Sequence, residues 1–205
     1  MTASPDSANR TAALERSTAE TTISVSVNLD GTGQYDVGTG NGFLDHMVSQ
    51  IARHGLFDIE LKAQGDTHVG WHHLVEDTGI MLGRAFGQAL GEPRGIRRMG
   101  HAIVPLDETL VMVAVDWSGR PYTTVDTTLD DTMVETLSGD LVAHFLESFA
   151  IEARINLHAR VIAGTSPHHK AEALCKALAR ALRDAVEPDP RAVGQVPSTK
   201  GTLDS

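Results

Sequence analysis

Residues 71–79 read WHHLVEDTG and residues 167–175 read PHHKAEALC. Each stretch sets two adjacent histidines ahead of a glutamate, three residues beyond the second histidine, and each opens a run with helical apolar spacing. Outward from the two copies, the flanking chain repeats as well. Before the first lie an alternating strand (Ile23, Val25, Val27, Leu29), a short helix FLDHMVSQIARHG with Gly55 as its C-cap, and a strand FDIELKA. Before the second lie a strand in DETLVMVAVDWSG, a helix LSGDLVAHFLESFAIEA with Ser138 as its N-cap, and a strand INLHARVIAG. Glu20-Thr21 precedes one alternating strand and Glu108-Thr109 the other. His46 to His72 spans 26 residues, and His144 to His168 spans 24. An internal duplication is the economical reading. The fold class expected is α+β, with tandem βαβ-type half-domains at 16–94 and 95–187 whose small cores cooperate in one body. Residues 1–15 read as an N-terminal arm and 188–205, with three prolines, as an irregular tail. Asp30-Gly31 reads as a hairpin turn, and PYTTVDTTL as the partner strand of DETLVMVAVDWSG.

The doubled motif also carries chemistry. On a helix, residues i and i+4 share a face, as do i and i+3, so either histidine of a pair can lie beside the glutamate. Adjacent residues point about 100° apart, so the two histidines of one pair are poorly placed to hold one ion. His46, His72, His73, Glu76, His144, His168, His169 and Glu172 together supply eight ligands, which divide into two sites of three imidazoles and one carboxylate. Imidazole with carboxylate suits a divalent transition ion, and an octahedral ion with four protein ligands keeps positions open for substrate. One His-His pair would be weak evidence; two in matching frames, each with an upstream helical histidine, are not. His68, His101 and His158 read as surface or packed residues, and His54 as a cation favoured at a helix end.

Composition narrows the class. Apolar residues form 41% of the 205 residues, enough for a core, and aromatics only 4%, which predicts an aliphatic one. A net charge of −10 argues against a nucleic-acid or anionic-membrane partner. One cysteine, Cys175, excludes an intramolecular disulfide and reads as a core thiol. With no apolar run near the ~20 residues needed to span a bilayer and no apolar signal core, a cytoplasmic location is expected. The sparse cations are grouped: Arg97 and Arg98, Arg120 in a turn, Lys176 two helical turns past His169, and Lys200 beside Ser198 and Thr199. Cations with hydroxyl donors suit a phosphate monoester.

These residues resemble a known family. FLDHM, HHLVEDTGI, GIRRMG, PLDET, SGRPY, GDLVAHFLESFA, PHHKAEALCKALARAL and PSTKG are similar to the imidazoleglycerol-phosphate dehydratases of histidine biosynthesis, from about Arg16 to Gly201. The resemblance implies the ribosomal-protein-S5-domain-2-like fold, two Mn2+ ions per chain at subunit interfaces, and a large symmetric homo-oligomer built from trimers (a twenty-four-subunit shell). It implies that the eight residues above are the ligands. It implies Glu20, in RSTAET, as the acid/base group, and Gln50, Arg98, Arg120, Lys176, Ser198 and Lys200 as substrate and phosphate contacts. Asp77, Asp107 and Glu108 are expected in orienting roles. Gly70, Trp71, Leu74 and Pro167 depart from the family's usual pattern beside the histidine pairs. Two other classes compete: a two-metal phosphate-ester hydrolase, and a metal-storage or metal-sensing protein. The first leaves the imidazole-rich ligand set unexplained, the second the PSTKG tail.

Overall fold

The computed structural model describes residues 10–203. The first half runs β1 (Thr11–Ser17), β2 (Thr21–Asn28), β3 (Tyr35–Gly38), α1 (Gly42–Gly55), β4 (Asp58–Gly65) and α2 (His72–Leu90). The second runs β5 (Met99–Leu106), β6 (Thr109–Asp116), β7 (Tyr122–Asp126), a short pair β8 (Met133–Val134) and β9 (Leu137–Ser138), α3 (Asp140–Glu152), β10 (Asn156–Ala163) and α4 (Pro167–Val186). The two sheets have matching orders, β1-β2-β4-β3 and β5-β6-β10-β7. In each, a hairpin pairs antiparallel with the strand that follows the first helix, and that strand pairs parallel with the one that precedes it. The parallel pairs β3–β4 and β7–β10 are thus βαβ crossovers over α1 and α3.

Alternation buries one face of each sheet. Thr21, Ile23, Val25 and Val27 point inward from β2, and Thr109, Val111, Val113 and Val115 from β6. Helix α2 covers β1 and β2, and α4 covers β5 and β6. The helices then pair across the halves rather than within them, α2 with α3 and α1 with α4. Gly79 and Gly83 permit the first crossing: a Cβ on Gly79 would lie 2.8 Å from the Phe145 carbonyl oxygen, and one on Gly83 would lie 3.0 Å from the Ala153 amide nitrogen. The core is mainly aliphatic, but its centre is a chain of rings. Phe57 meets Phe86 edge-on at 5.0 Å, and Phe86 meets Phe149 at 5.3 Å, joining the residue that leads into β4 to α2 and α3 across the two halves.

Several local expectations change. The arm expected over 1–15 gives way at Thr11, because Thr11–Ser17 is β1, paired with β2 from Thr11↔Asn28 to Ser17↔Thr22; residues 1–9 lie outside the described residues. Asp30-Gly31 turns the chain but closes no hairpin, since the crossover through α1 sets β3 beside β4. For the same reason, the strand in PYTTVDTTL pairs with β10 and not with β6. Leu56, at φ 57°, takes the left-handed C-cap position of α1 expected of Gly55. Gly139 is the N-cap of α3, and Ser138 ends β9 instead. Within 189–203 there is no helix or strand, but the tail is tied down: Ile96 bridges Pro188, Gly95 N–H donates to the Gln195 carbonyl at 2.9 Å, and Leu203 is buried. No helix among the described residues is long and apolar enough to cross a membrane.

Candidate metal centres

The histidine pairs sit at helix starts. Ser166 caps α4, its hydroxyl accepting from the His169 amide at 3.3 Å, while α2 starts behind Trp71 without a side-chain cap. One turn on, Glu76 and Glu172 return to the faces of His72 and His168. The swapped helix pairing then adds a histidine from the other half. His72, Glu76 and His144 form one cluster, and His46, His168 and Glu172 the other, with ligand atoms in each within 4.8 Å of one another. Each cluster therefore takes its second-helix pair from one half and its first-helix histidine from the other.

In the first cluster the His72 and His144 rings stack at 4.6 Å, and His144 Nε2 stands 3.5 Å from Glu76 Oε1. That nitrogen is buried with no hydrogen-bond partner. A buried polar atom without a partner is unfavourable, and here it faces a carboxylate and a second imidazole, the donor set of a divalent ion. In the second cluster, His46 Nε2 and His168 Nε2 meet Glu172 Oε2 at 3.0 and 3.1 Å. Lys176 Nζ holds Glu172 Oε1 at 2.6 Å. Burial pushes the Glu172 carboxyl up, but the Lys176 and His46 contacts outweigh it and bring it down to about 2, so it is an anion at neutral pH. Behind the ligands, Glu135 Oε1 contacts His168 Nδ1 at 3.1 Å, and Gln50 lies between His46 and His54 Nε2, the latter at 3.1 Å. Burial, with Lys176 and Arg180 nearby, lowers the His54 pKa, which works against the helix-end cation expected there, and its Nε2 contacts Gln50.

His73 and His169 stand outside both clusters, so a single chain offers two imidazoles and one carboxylate per cluster rather than three and one. His73 Nδ1 faces Asp66 at 3.1 and 3.2 Å, with Glu20 Oε1 4.0 Å from its Nε2. His169 Nδ1 faces Glu108 Oε2 at 2.7 Å, with Asp107 Oδ2 3.8 Å from its Nε2. Each ring's pKa is raised, chiefly by its hydrogen bond to Asp66 or Glu108. Glu108 is driven far down by the Ser166 N–H, His169 and the Thr165 N–H. Asp77 is buried and takes the side chains of Arg16 and Thr21, fastening α2 to the hairpin that carries Glu20. Asp66 and Glu135 were not singled out from the sequence. By strand register Gly65 matches Gly164 and Asp66 matches Thr165, which is not acidic, and Glu135 lies in the β8–β9 insertion, which the first half lacks, so the duplication pointed to neither.

The six expected phosphate contacts divide into two groups. Arg98, Arg120, Ser198 and Lys200 line one cavity of about 540 Å³ with the tail residues Gln195–Thr199 and Leu203. Arg98, at φ 71°, is gripped by Asp116 through Nε and Nη2 (2.7 and 2.9 Å) and donates from Nη1 to the Pro197 carbonyl at 2.6 Å. Gln50 and Lys176 are not in that cavity; they flank the Glu172 cluster. His68, His101 and His158 are exposed, and Cys175 is a fully buried thiol pushed up to about 12 by burial, hence inert. Leu74 is a core residue, and Trp71 packs on the core as the N-cap of α2.

A duplicated α+β body whose helices cross to build two imidazole–carboxylate clusters defines a distinct class of architecture. A family model for imidazoleglycerol-phosphate dehydratase matches residues 39–182. The chain is 56% identical over 196 residues to the imidazoleglycerol-phosphate dehydratase of Dehalococcoides mccartyi (strain CBDB1), covering 96% of this chain and 98% of that one. It is 56% identical over 194 residues to that of Roseiflexus sp. (strain RS-1), covering 95% and 98%. The crystal structure of the Staphylococcus aureus subsp. aureus N315 enzyme matches with a TM-score of 0.78 at 33% identity, over 87% of this chain and 99% of that one. The Pyrococcus furiosus enzyme matches with a TM-score of 0.79 at 35% identity, over 92% and 99%. The chain belongs to the imidazoleglycerol-phosphate dehydratase family: it is a hydro-lyase that dehydrates imidazoleglycerol phosphate in histidine biosynthesis.

Proposed function

We propose that this dehydration, which yields imidazole acetol phosphate, depends on two divalent ions per chain, Mn2+ in the resting enzyme, in a homo-oligomeric cytoplasmic protein. The observation that carries the reading is the buried, partnerless His144 Nε2, set 3.5 Å from Glu76 Oε1 in a cluster whose pseudo-symmetric copy is His46, His168 and Glu172. Those six residues would hold the ions, and His73 and His169, which point away from their own chain's clusters, would complete the sites of neighbouring copies. When bound, the ions would favour loss of the ring N–H proton from the substrate's imidazole, and the electron-rich ring would then help to expel the hydroxyl on the carbon beside it. The division of the phosphate contacts supports the same assembly. Arg98, Arg120, Ser198 and Lys200 of one copy would face Gln50 and Lys176 of another across the substrate, within a symmetric shell built from trimers.

The residues' own work is to bind and to move one proton. The hydroxyl leaves from the carbon beside the ring, and a proton leaves from the next carbon. Glu20, exposed and 4.0 Å from His73 Nε2, accepts that proton. The resulting enol becomes the ketone when a proton is delivered to the carbon beside the ring, and the hydroxyl departs as water. The phosphate group fixes the side chain so that the second carbon faces Glu20. The test is elemental analysis of purified protein, together with assays for acetol formation and phosphate release from imidazoleglycerol phosphate. About two ions per chain and acetol formation that stops on chelation are expected. Full activity in protein shown to be metal-free would refute metal dependence, and phosphate release in place of acetol would favour an esterase. Chelation should also shrink the assembly measured by light scattering, because copies that share a ligand lose a contact.

A further inference from the structure

Glu20 and Glu108 hold the same place in the two halves, each immediately before the first residue of an inner strand, Thr21 of β2 and Thr109 of β6. Their surroundings differ. Glu108 has both oxygens engaged. Its Oε1 accepts the backbone N–H groups of Thr165 and Ser166 at 3.1 and 2.8 Å and the Thr109 hydroxyl at 3.1 Å. Its Oε2 lies 2.7 Å from His169 Nδ1. In the first half the matching contact to His73 Nδ1 comes from Asp66, in the β4–α2 loop, and Glu20 lies on the other side of the ring, toward Nε2.

We propose that Glu108 and Asp66 are positioning residues that hold the proton on Nδ1 of His169 and His73, so that Nε2 of each is a bare ligand, and that this division of labour leaves Glu20 free to transfer protons. The proposal rests on the reading that these two histidines bind ions. An ionised carboxylate only accepts, so the ring nitrogen facing it must carry the hydrogen, and in the neutral ring that binds an ion the far nitrogen then lacks one. Partners of this kind set ring orientation and ligand basicity in metal sites. The other neighbours of Glu108 make its effect directional. Because Oε1 is fixed by two backbone donors, a glutamine placed there keeps its oxygen on that side and turns its NH2 toward His169 Nδ1. That amide donates where the carboxylate accepted. The ring must then leave Nδ1 bare and carry its proton on Nε2, the atom needed by the ion. Asp66 has no such second anchor in the described residues beyond His73 itself, so an asparagine there can rotate and present its oxygen.

The experiment compares Glu108→Gln, Glu108→Ala and Asp66→Asn with the wild type in the full chain, measuring Mn2+ binding by equilibrium dialysis and histidine tautomers by 15N chemical shifts in metal-free protein. Glu108→Gln should weaken one of the two ions per chain about 10–100-fold and move the His169 proton to Nε2. Glu108→Ala, which loses the ties to Thr165 and Ser166 but admits water to Nδ1, should fold less stably yet bind Mn2+ better than Glu108→Gln. Asp66→Asn should change binding less than tenfold. A merely structural role for Glu108 predicts the reverse order, Ala weaker than Gln; that order, or wild-type binding in Glu108→Gln, overturns the proposal. Failure of the wild type to bind Mn2+ at all would instead remove the reading beneath it, so the two failures are distinguishable.

Discussion

Gly83→Ala tests whether the α2–α3 crossing holds one candidate metal cluster together. The added Cβ would fall well inside contact distance of the Phe149 carbonyl oxygen and 3.0 Å from the Ala153 amide nitrogen. Both are backbone atoms, so no side chain can swing aside. Relief requires the helices to separate by several tenths of an ångström or more. Overpacking of this kind costs about 1–3 kcal/mol, against which alanine in a helix gains about 1 kcal/mol over glycine. The net loss should be up to about 2 kcal/mol. Gly87, one turn further along α2, provides the control, because its Cβ would meet nothing closer than 3.8 Å. Gly87→Ala should therefore gain up to about 1 kcal/mol, and the gap between the two variants isolates the packing term. Urea unfolding at matched metal content measures both. The displacement also has an address: α2 carries His72 and Glu76, and α3 carries His144, whereas the other cluster lies on α1 and α4. Gly83→Ala should lose one ion per chain and keep the other. Equal stabilities for the two alanine variants, or equal loss of both ions, would refute the argument.

Glu20→Gln should keep its metal and its assembly while turnover falls by roughly 10²–10⁴-fold; wild-type turnover would move proton transfer to another group, Asp107 first. Truncation after Val196 removes Ser198, Lys200, the carbonyl that Arg98 holds and buried Leu203. It should leave the fold and both ions in place but lower kcat/KM by about tenfold or more, since a hydrogen bond to a charged group contributes about 1.5–3 kcal/mol; an unchanged kcat/KM would remove the tail from the phosphate site. Asp58 accepts backbone N–H groups of Thr32 and Gln34 at 2.8 and 2.9 Å, and although burial raises its pKa, these bonds bring the net value below 3.8. A depressed folded-state value gives stability that is present above about pH 3.8 and lost as pH falls through the folded value. Asp58→Asn should therefore lower the urea midpoint at pH 7, and the gap to wild type should shrink at acid pH; a constant gap would assign the loss to something other than the charge.

What was legible in the sequence was whatever is set locally or doubled. The helices follow from apolar spacing, and the His–Glu faces from the helical repeat. The partnership of His46 with the second motif and of His144 with the first needed the fold, because nothing local says that α1 crosses α4. Strands β1 and β5 leave little trace in the sequence for a physical reason. TAALERS buries fully only Ala12, and MGHAIVPL only Gly100 and Ala102, so neither shows the bulky alternation that marks an inner strand. Strand partners are not legible where a helical crossover, not a tight turn, decides adjacency, as for β3 beside β4 and β7 beside β10. At the site, residue types gave the candidate ligands, but which carboxylate backs which ring depends on loops such as Asp66 and the β8–β9 insertion, for which spacing offers no signal.

The crosswise pairing of helices has an evolutionary corollary. Because each cluster draws its lone histidine from one half and its His–Glu pair from the other, a single half-length chain would need only a copy of itself, related by a twofold axis, to build both clusters at once. Such a dimer would be obliged to keep its two centres identical, since one codon would specify both. Joining the copies through the link between Leu90 and Met99 removes that obligation. The turn glutamate of one half, Glu108, is then held by Thr165, Ser166 and His169, while its twin, Glu20, is exposed and Asp66 takes the place beside His73. Fusion would thus let the surroundings of two centres built on one plan diverge, as they do around Glu20 and Glu108.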